Sequence, residues 1–226
     1  MPKTPDIYPM RINKYLALKK ISTRRGADEL VAGQKVFING KRAVLGARVK
    51  ETDKVEIKGA GAKEYKYYAY NKPIGIETAS PKEAAEGLFP LGRLDKASHG
   101  LLILTNDGRI TDQLLSPKYF HEKEYVVKTS NKLRGSFKDK MEKGVNIEGY
   151  KTKPCKVTIV NDFTFRVILT EGKKHQIRRM CSALFQEVAD LKRERIMNVK
   201  LGSLKPKGIR EIKGKELELF LKPMLG

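Results

Sequence analysis

The sequence contains no tryptophan, only three histidines and only two cysteines among 226 residues. The two cysteines, Cys155 and Cys181, suit free thiols in a reducing compartment. Histidines and cysteines never cluster at ligand spacing, so we expect no metal site. No apolar run is long enough to cross a bilayer, and the opening stretch "MPKTPDIYPM" lacks the apolar core of an export signal. These absences favour a cytoplasmic protein that is not embedded in a membrane.

Acidic residues are also scarce relative to basic ones. Lys and Arg number 47 against 26 Asp and Glu, which gives a formal net charge of +21 spread along the whole chain. Such a surface favours polyanions, because binding releases their counterions. An anionic membrane is the alternative partner, but no long basic amphipathic helix supports it. A basic protein with no polyanionic partner is the plainest interpretation, and the distribution of charge favours nucleic acid over it.

The pattern along the chain divides it into two folded regions. Residues 1–9 hold three prolines and read as a flexible tail, and residues 59–64, "GAGAKE", read as a short linker. The region between them, 10–58, predicts two helices, a hairpin and a strand. The region 65–226 predicts many strands that neighbour strands, with helices between some of them. We therefore predict an α+β protein whose larger domain has a mixed, largely antiparallel sheet flanked by helices.

The first region has the features of a small RNA-binding module. "RINKYLALKK" has apolar residues at helical spacing, Ser22 or Thr23 can cap a second helix, and Gly33 can end it. "KVFINGKRA" predicts a hairpin with an Asn39-Gly40 turn. This order resembles the S4 domain, an αL-type RNA-binding fold, although the family's usual Glu is Gly26 here. A solvated basic face is the simpler interpretation of its cations, and with the resemblance we predict RNA contacts for Arg11, Lys14, Arg24, Arg25 and Lys41.

The second region is dominated by strand patterns around one short acidic motif. "YKYYAY", "GLLILT" and "EYVVKT" predict strands, and "CKVTIV" with "FTFRVIL" predicts a hairpin through Asn161-Asp162. "RITDQLLS", "SFKDKMEKG" and "HQIRRMCSALF" predict helices. The motif "GRLD" at 92–95 places an acid between two apolar runs. An exposed turn often carries such an Asp without any catalytic role.

The surroundings of "GRLD" carry a specific resemblance. "NKPIGIET" precedes the motif, "FPLGRLDKASHGLLILTNDGRITDQLL" contains it, and "HEKEYVV" and "LTEGKKHQIRRMCSALF" follow it. These strings, in this order and after an S4-like region, resemble the pseudouridine synthases of the RsuA/RluB/RluF group. The resemblance implies an RNA-modifying isomerase without a cofactor.

The same resemblance assigns roles to individual residues. Asp95 matches the single catalytic aspartate, Tyr125 the tyrosine that stacks on the target base, and Arg178 the basic residue that pairs with the aspartate. Arg93 matches the arginine that helps hold RNA with its target nucleotide extruded. We interpret His175 and Arg179 as RNA contacts. Other interpretations stay open: Tyr125 as a core aromatic and Arg178 as part of a solvated helix face.

The chemistry of the reaction agrees with these roles. Converting uridine to pseudouridine breaks an N–C bond and makes a C–C bond without gain or loss of atoms, so neither redox cofactor nor metal is required. One ionised carboxylate suffices as nucleophile, or as the base that takes a proton from C2′. A nearby Arg keeps such a carboxylate ionised. The target base must leave its stack, and a Tyr face offers it about 1–3 kcal/mol of stacking.

The wording of the motifs leans toward the RluF type. "GRLDKASHGL", "TKPCKV" and "ERIMNVKLG" favour that type, whereas "EGKKHQIRRM" is nearer to RsuA and RluB, and Ile209 stands where a tryptophan is common. We therefore expect a monomer that modifies a uridine of 23S large-subunit rRNA, with 16S rRNA or tRNA as alternatives. The competing class is a non-catalytic S4-domain factor of ribosome assembly. The net positive charge would also suit an enzyme that acts on DNA, but no motif in the sequence supports that interpretation.

Overall fold

The computed structural model describes residues 8–19, 21–59, 64–79, 81 and 87–225. Contacts between residues divide the chain into two compact units. One contains the residues up to Tyr65 together with Asp107–Arg109, and the other contains Lys66–Asn106 and Ile110–Gly226. Most of the expected tail 1–9 and linker 59–64 lies outside the described residues, so those two predictions stay predictions.

The amino-terminal unit contains two short helices and five short strands. In chain order these are β1 Met10–Arg11, α1 Ile12–Leu18, α2 Arg24–Ala32, β2 Val36–Ile38, β3 Lys41–Arg42, β4 Arg48–Val49 and β5 Val55–Ile57. Strands β3, β2 and β5 form one antiparallel sheet in that order, and β1 pairs with β4. The pair β1 and β4 was not predicted from the sequence.

Local sequence signals explain these elements. The Thr23 hydroxyl accepts a hydrogen bond from Gly26 N at 2.9 Å and so caps α2, which ends at Gly33. Asn39 and Gly40 both have positive φ, 51° and 78°, as a tight hairpin turn requires. Apolar residues at helical spacing on α1 and α2 form the core with strand residues; the fully or nearly fully buried ones are Ile12, Leu16, Ala27, Val31, Val36, Ala43 and Val49. Each fully buried aliphatic side chain of this size contributes about 1.5–3 kcal/mol.

The carboxyl-terminal unit contains eleven strands and four helices. They are β6 Tyr67–Lys72, β7 Phe89–Leu91, β8 His99–Thr105, α3 Thr111–Leu115, β9 Lys123–Thr129, α4 Phe137–Glu142, β10 Asn146–Ile147, β11 Tyr150–Lys151, β12 Lys156–Asn161, β13 Thr164–Leu169, α5 Gln176–Ala183, β14 Val188–Ile196, β15 Val199–Lys200, β16 Ile209–Glu211 and α6 Gly214–Leu225. The predicted hairpin at Asn161-Asp162 is formed by β12 and β13. Helix α6, with Phe220 and Met224 buried, was missed.

Nine strands form one sheet, in the order β12-β13-β9-β14-β8-β6-β16, with β15 beside β14 and β7 beside β8. Strands β14 and β8 pair in parallel, and the other pairs of this sheet are antiparallel. The prediction of an α+β fold with a mixed, largely antiparallel sheet is confirmed. Strand β8 is buried along almost its whole length, which explains its unbroken apolar run "GLLILT".

Two features of the sheet place the functional residues. Phe165, Val167 and Leu169 alternate with less buried residues along β13 and pack in one core with Ile177, Met180 and Cys181 of α5. This fixes α5 against the sheet. Gly100, with φ +104°, lets β8 approach β14, because a Cβ there would lie 2.3 Å from Arg193 O.

Candidate active site

Asp95 lies on a short connection between β7 and β8 that is fastened to an earlier turn. Gly92, with φ +78°, makes the backbone bend that only glycine adopts freely. The Thr78 hydroxyl donates to Leu94 O at 2.7 Å and accepts from Leu94 N at 2.9 Å. Gly75 N donates to Lys96 O at 2.9 Å. The strings "NKPIGIET" and "GRLD" therefore meet in space, and the first positions the second.

Two basic side chains interact with the Asp95 carboxylate. His175 Nδ1 is 3.2 Å from Asp95 Oδ2, with both side chains partly exposed. His175 precedes α5 in a left-handed conformation, φ 51° and ψ 29°. The buried ammonium of Lys72 donates to the carbonyls of Pro73 and Ile76 at 3.0 and 2.7 Å. Burial lowers the pKa of Lys72, and the negative charge of Asp95 partly opposes that shift.

The structure corrects the expected ion pair between Asp95 and Arg178. Arg178 Nη2 donates to Ala97 O at 2.8 Å, and Nη1 donates to Val188 O at 3.1 Å. Within the described residues the ion pair of Asp95 is made by His175 and not by Arg178. Arg178 therefore links the segment that carries Asp95 to the start of β14. The sequence could not show this, because His175 reaches Asp95 only through its left-handed backbone, which a helical pattern does not reveal.

A cavity of about 700 Å³ opens beside Asp95. This is within the range of small-ligand pockets. Tyr125 on β9 lines it and also packs against the core. Arg93 is exposed at its wall, and the wall further includes Leu91, Leu94, Lys96, Leu115, Lys123, Leu169, Glu171, Lys173, Lys174, His175, Ile177, Leu191, Arg193 and Ile196. The predicted residues Asp95, Tyr125, Arg93 and His175 thus share one cavity.

Glu171, a second carboxylate in the cavity wall, is already satisfied. Glu171 is 2% exposed and accepts hydrogen bonds from the Tyr150 hydroxyl, Lys153 N and Gln176 Nε2. Its bond with Tyr150 raises the pKa of that phenol. Asp95, which is a third exposed, therefore has the greater freedom to meet a ligand.

Two cations of the wall were missed by the sequence analysis. Arg193, on β14, is only 3% exposed and is the cross-strand partner of Tyr125. Lys123 lies two residues before Tyr125 on the same face of β9. Burial, and to a smaller extent the charge of Arg193, lowers the pKa of Lys123 to about 8. The alternation of side chains on β9 was the one signal that could have placed Lys123 beside Tyr125.

The predicted RNA contacts divide into two groups. Arg179 pairs with Glu148 at 2.7 Å and donates to the carbonyls of Ile147 and Lys174, so its guanidinium has structural partners already. In the amino-terminal unit, Arg11, Arg24, Arg25 and Lys41 are exposed and Lys14 is partly exposed. In the described part of the chain none of these last five forms an ion pair, and all five are therefore free to meet phosphate.

The arrangement can perform acid–base or nucleophilic chemistry on a ligand the size of a nucleoside. The cavity wall has two accessible carboxylates, those of Asp95 and of exposed Glu77, together with several basic side chains and the ring of Tyr125. Across the described ranges, no group of three or more His, Cys, Asp or Glu is placed to hold a metal ion. Within those same ranges no helix is long and apolar enough to cross a membrane.

Comparison with known proteins bears directly on this site. The model of the family described as RNA pseudouridylate synthase matches residues 66–183, and that of the S4 domain matches residues 10–55. The chain is 38% identical to the dual-specificity RNA pseudouridine synthase RluF of Escherichia coli K12 over 93% of this chain and 78% of that protein. It is 32% identical to the ribosomal large subunit pseudouridine synthase B of Bacillus subtilis 168, over 92% of this chain and 94% of that protein.

A solved structure of a pseudouridylate synthase has the same fold. It superposes with a TM-score of 0.69 at 28% identity and covers 92% of this chain and 98% of its own. The resemblance to the RsuA/RluB/RluF group, with the RluF type among the nearest relatives, is confirmed. The chain therefore belongs to the RNA pseudouridylate synthase family and is an RNA-binding, S4-domain pseudouridine synthase.

Proposed function

We propose that this enzyme isomerises one uridine of 23S large-subunit rRNA, with Asp95 as its catalytic residue. The observation that carries the proposal is the cavity itself, in which the partly exposed carboxylate of Asp95 pairs with His175 and shares the wall with Tyr125. A relative of similar length is named a ribosomal large subunit pseudouridine synthase, which supports the choice of rRNA. The described residues of a single chain line the proposed site, which supports a monomer as the active form.

In the proposed mechanism the target uridine leaves its stack and enters the cavity. The ring of Tyr125 supports the uracil, and exposed Arg93 holds the phosphate backbone at the wall. Asp95 then either attacks the ribose or removes the proton at C2′. The C1′–N1 bond breaks, and its electron pair leaves with the uracil. The base turns and a bond forms between C5 and C1′; in the same step Asp95 leaves the ribose, or the proton that it took is returned to C2′. The hydrogen of C5 is then lost as a proton while N1 gains one.

The residues around Asp95 have distinct proposed roles. His175 is the ion-pair partner of Asp95, and the charge of Asp95 also acts on buried Lys72. Arg178 orients the segment through Ala97 O and is a positioning residue. The amino-terminal unit binds RNA through Arg11, Lys14, Arg24, Arg25 and Lys41, and exposed His175 adds a contact at the cavity wall.

Asp95→Asn tests the proposal, because it keeps the shape of the side chain and removes its charge. We expect the single-turnover rate of tritium release from uridine labelled at C5 to fall by at least about 10³-fold, with RNA affinity unchanged. Asp112→Asn, at an exposed position outside the cavity wall, is the control and should retain full activity. Substantial activity in Asp95→Asn would overturn the catalytic assignment.

The substrate is tested separately from the chemistry. Pseudouridines should be mapped in all stable RNAs of a strain that lacks this enzyme and in its parent. Loss of one modified position from 23S rRNA is the expected result. Loss from 16S rRNA or from a tRNA would keep the reaction and correct the substrate.

A further inference from the structure

One buried and one partly exposed cation form the part of the cavity wall around Tyr125. Arg193 is the cross-strand partner of Tyr125, and Lys123 lies two residues before Tyr125 on the same face of β9. A register shift between Arg193 and Arg195 bends β14 at this point, so that Ile196 lies opposite Lys123. Arg195 pairs with Glu122 and Glu124 instead. Because of the register shift, Arg193 lies in the cavity wall, whereas Arg195 lies outside it and pairs with two glutamates.

These two cations are not neutralised within the described residues. Arg193 Nε donates to Leu101 O at 2.7 Å and Nη1 reaches Arg93 O at 3.5 Å, while its buried Nη2 has no hydrogen-bond partner. Neither Arg193 nor Lys123 forms an ion pair with any described carboxylate. Their mutual repulsion adds to burial in lowering the pKa of Lys123 to about 8. Arg193 is 3% exposed and Lys123 is partly exposed, and withdrawing cations from water without a counter-ion is costly, so this pair points to an anionic ligand in place of the missing ion-pair partner.

The position of the pair decides which anion it meets. Phosphate groups of the RNA remain outside the base pocket and meet the exposed cations of the wall, such as Arg93, Lys96 and Lys174. Lys123 and Arg193 are less exposed and lie beside Tyr125, where the flipped base is proposed to stack. The part of the substrate nearest to them is therefore the uracil ring and not the backbone.

We propose that Lys123 and Arg193 form a subsite that stabilises the uracil anion released when the C1′–N1 bond breaks. The inference rests on the proposed function. The electron pair of the broken bond stays on the base and spreads from N1 to the two carbonyl oxygens. The same anion arises whether Asp95 has bonded to the ribose or taken the C2′ proton. Fixed cations next to that developing charge lower the barrier, because they need no reorganisation when it forms.

Lys123→Met tests the subsite, since Met keeps a long unbranched side chain and loses the charge. We expect the single-turnover rate to fall by about 10²–10³-fold, the usual effect of removing one preorganised electrostatic partner, with RNA affinity nearly unchanged. Lys128→Met is the matched control, because Lys128 is exposed on the same strand. Its rate should equal that of the wild type. A wild-type rate in Lys123→Met would overturn the proposal.

The dependence of kcat/KM on pH separates a role for charge from a role in packing. The charge that acts on Lys123 is that of Arg193 on β14, and its cross-strand neighbours, Leu169 on β13 and Ile196 on β14, are uncharged. The other charged or titratable groups of the cavity wall are Glu77, Arg93, Asp95, Lys96, Glu171, Lys173, Lys174 and His175. With a lowered pKa, the Lys123 ammonium is present below about pH 8 and is lost above it. Wild-type kcat/KM should fall above that pH relative to Lys123→Arg, whose guanidinium stays charged. Ionisation of the substrate affects the wild type and Lys123→Arg equally, so it cancels in the ratio of their kcat/KM values.

Arg193→Gln tests the second member of the pair. Gln can still donate to Leu101 O, and its neutral amide removes the repulsion on Lys123. The alkaline fall of kcat/KM should move to higher pH, and a thermal melt confirms that the variant is folded. An unchanged alkaline fall in folded Arg193→Gln would remove Arg193 from the subsite.

Failure of the subsite can be told from failure of the proposed function. If Asp95→Asn is inactive while Lys123→Met is fully active, only the subsite is wrong. If Asp95→Asn is active, the proposed function itself is wrong. If Lys123→Met does not fold, the comparison of wild type with Lys123→Arg decides, and a pH-independent ratio would overturn the subsite.

Discussion

Replacement of Arg178 by Met separates two accounts of this arginine. If Arg178 neutralised Asp95, its loss would change the pH at which the enzyme becomes active. The structure instead shows Arg178 donating to Ala97 O and Val188 O, so its loss should disturb where Asp95 lies and not how Asp95 titrates. We therefore expect a lower rate at every pH, with an unchanged shape of the pH–rate profile.

The size of the effect follows from the two hydrogen bonds. A bond from a charged donor contributes about 1.5–3 kcal/mol. The hydrogen bond to Val188 O is partly buried, so we assign it the full value of about 1.5–3 kcal/mol for a bond from a charged donor. The hydrogen bond to Ala97 O is exposed and contributes less than about 1 kcal/mol. Loss of both should lower the free energy of unfolding by about 2–4 kcal/mol, which is roughly 5–15 °C in Tm for a chain of this length. A shift of Asp95 by about 1 Å should cost about 10²-fold in rate.

The assay is single-turnover tritium release across a pH series, with thermal melts of each variant. Arg179→Met is the matched control on the next residue of α5, because the partners of Arg179 are Glu148, Ile147 O and Lys174 O and none of them lies in the segment that carries Asp95. Its rate and pH–rate profile should equal those of the wild type, whatever its Tm. Arg178→Lys can replace only one of the two bonds and should lie between Met and wild type. A profile displaced along the pH axis in Arg178→Met would refute the positioning account, and a wild-type rate would refute any role.

Two further predictions concern the amino-terminal unit and the thiols. Replacing Arg24, Arg25 and Lys41 together by Met should lower the magnitude of the slope of log affinity against log salt by about 2, because each lost phosphate contact contributes about 0.7–0.9. The control variant, in which exposed Lys138, Lys140 and Lys143 are replaced by Met, should have the wild-type slope. Equal slopes in the two triple variants would refute the assignment of Arg24, Arg25 and Lys41 as phosphate contacts. Burial raises the pKa of Cys155 to about 11 and that of Cys181 to about 12, so at pH 8 the thiolate fraction is at most about 10⁻³ and a thiol reagent should label neither until the protein is unfolded. Rapid labelling of the native protein would contradict the burial of both side chains.

Elements with local signals were predictable, because the residues that define them are neighbours in the chain. The Asn39-Gly40 turn, the Thr23 cap and the apolar run of β8 are of this kind. Helix α6 was missed although Phe220 and Met224 have helical spacing, because Pro223 lies between them and is atypical of a helix interior.

The composition of the cavity was only partly predictable, because its members come from distant segments. Asp95, Tyr125 and Arg93 follow from motifs, but the partner of Asp95 depends on the left-handed backbone of His175. In the sequence, Arg193 cannot be distinguished from the other basic residues of "LKRERI". In the structure, the register shift in β14 places Arg193 at the cavity wall and Arg195 beside Glu122 and Glu124. The alternation of residues along a single strand cannot reveal a register shift, because the shift is defined by how two strands pair.

The parallel contact between β8 and β14 has a consequence for the synthesis of the enzyme. The contact joins His99 and Gly100 to Lys192 and Arg193, and Gly100 is the residue that permits it. The loop with Asp95 precedes β8, whereas Lys123 and Tyr125 lie on β9, which reaches β8 only through β14. A nascent chain that has not yet produced β14 contains Asp95 and Tyr125 but lacks the strand that joins β8 to β9 and completes the cavity. Because such long-range pairing is slow, the enzyme becomes active only after nearly the whole chain has been made, and fragments that end before β14 cannot modify RNA.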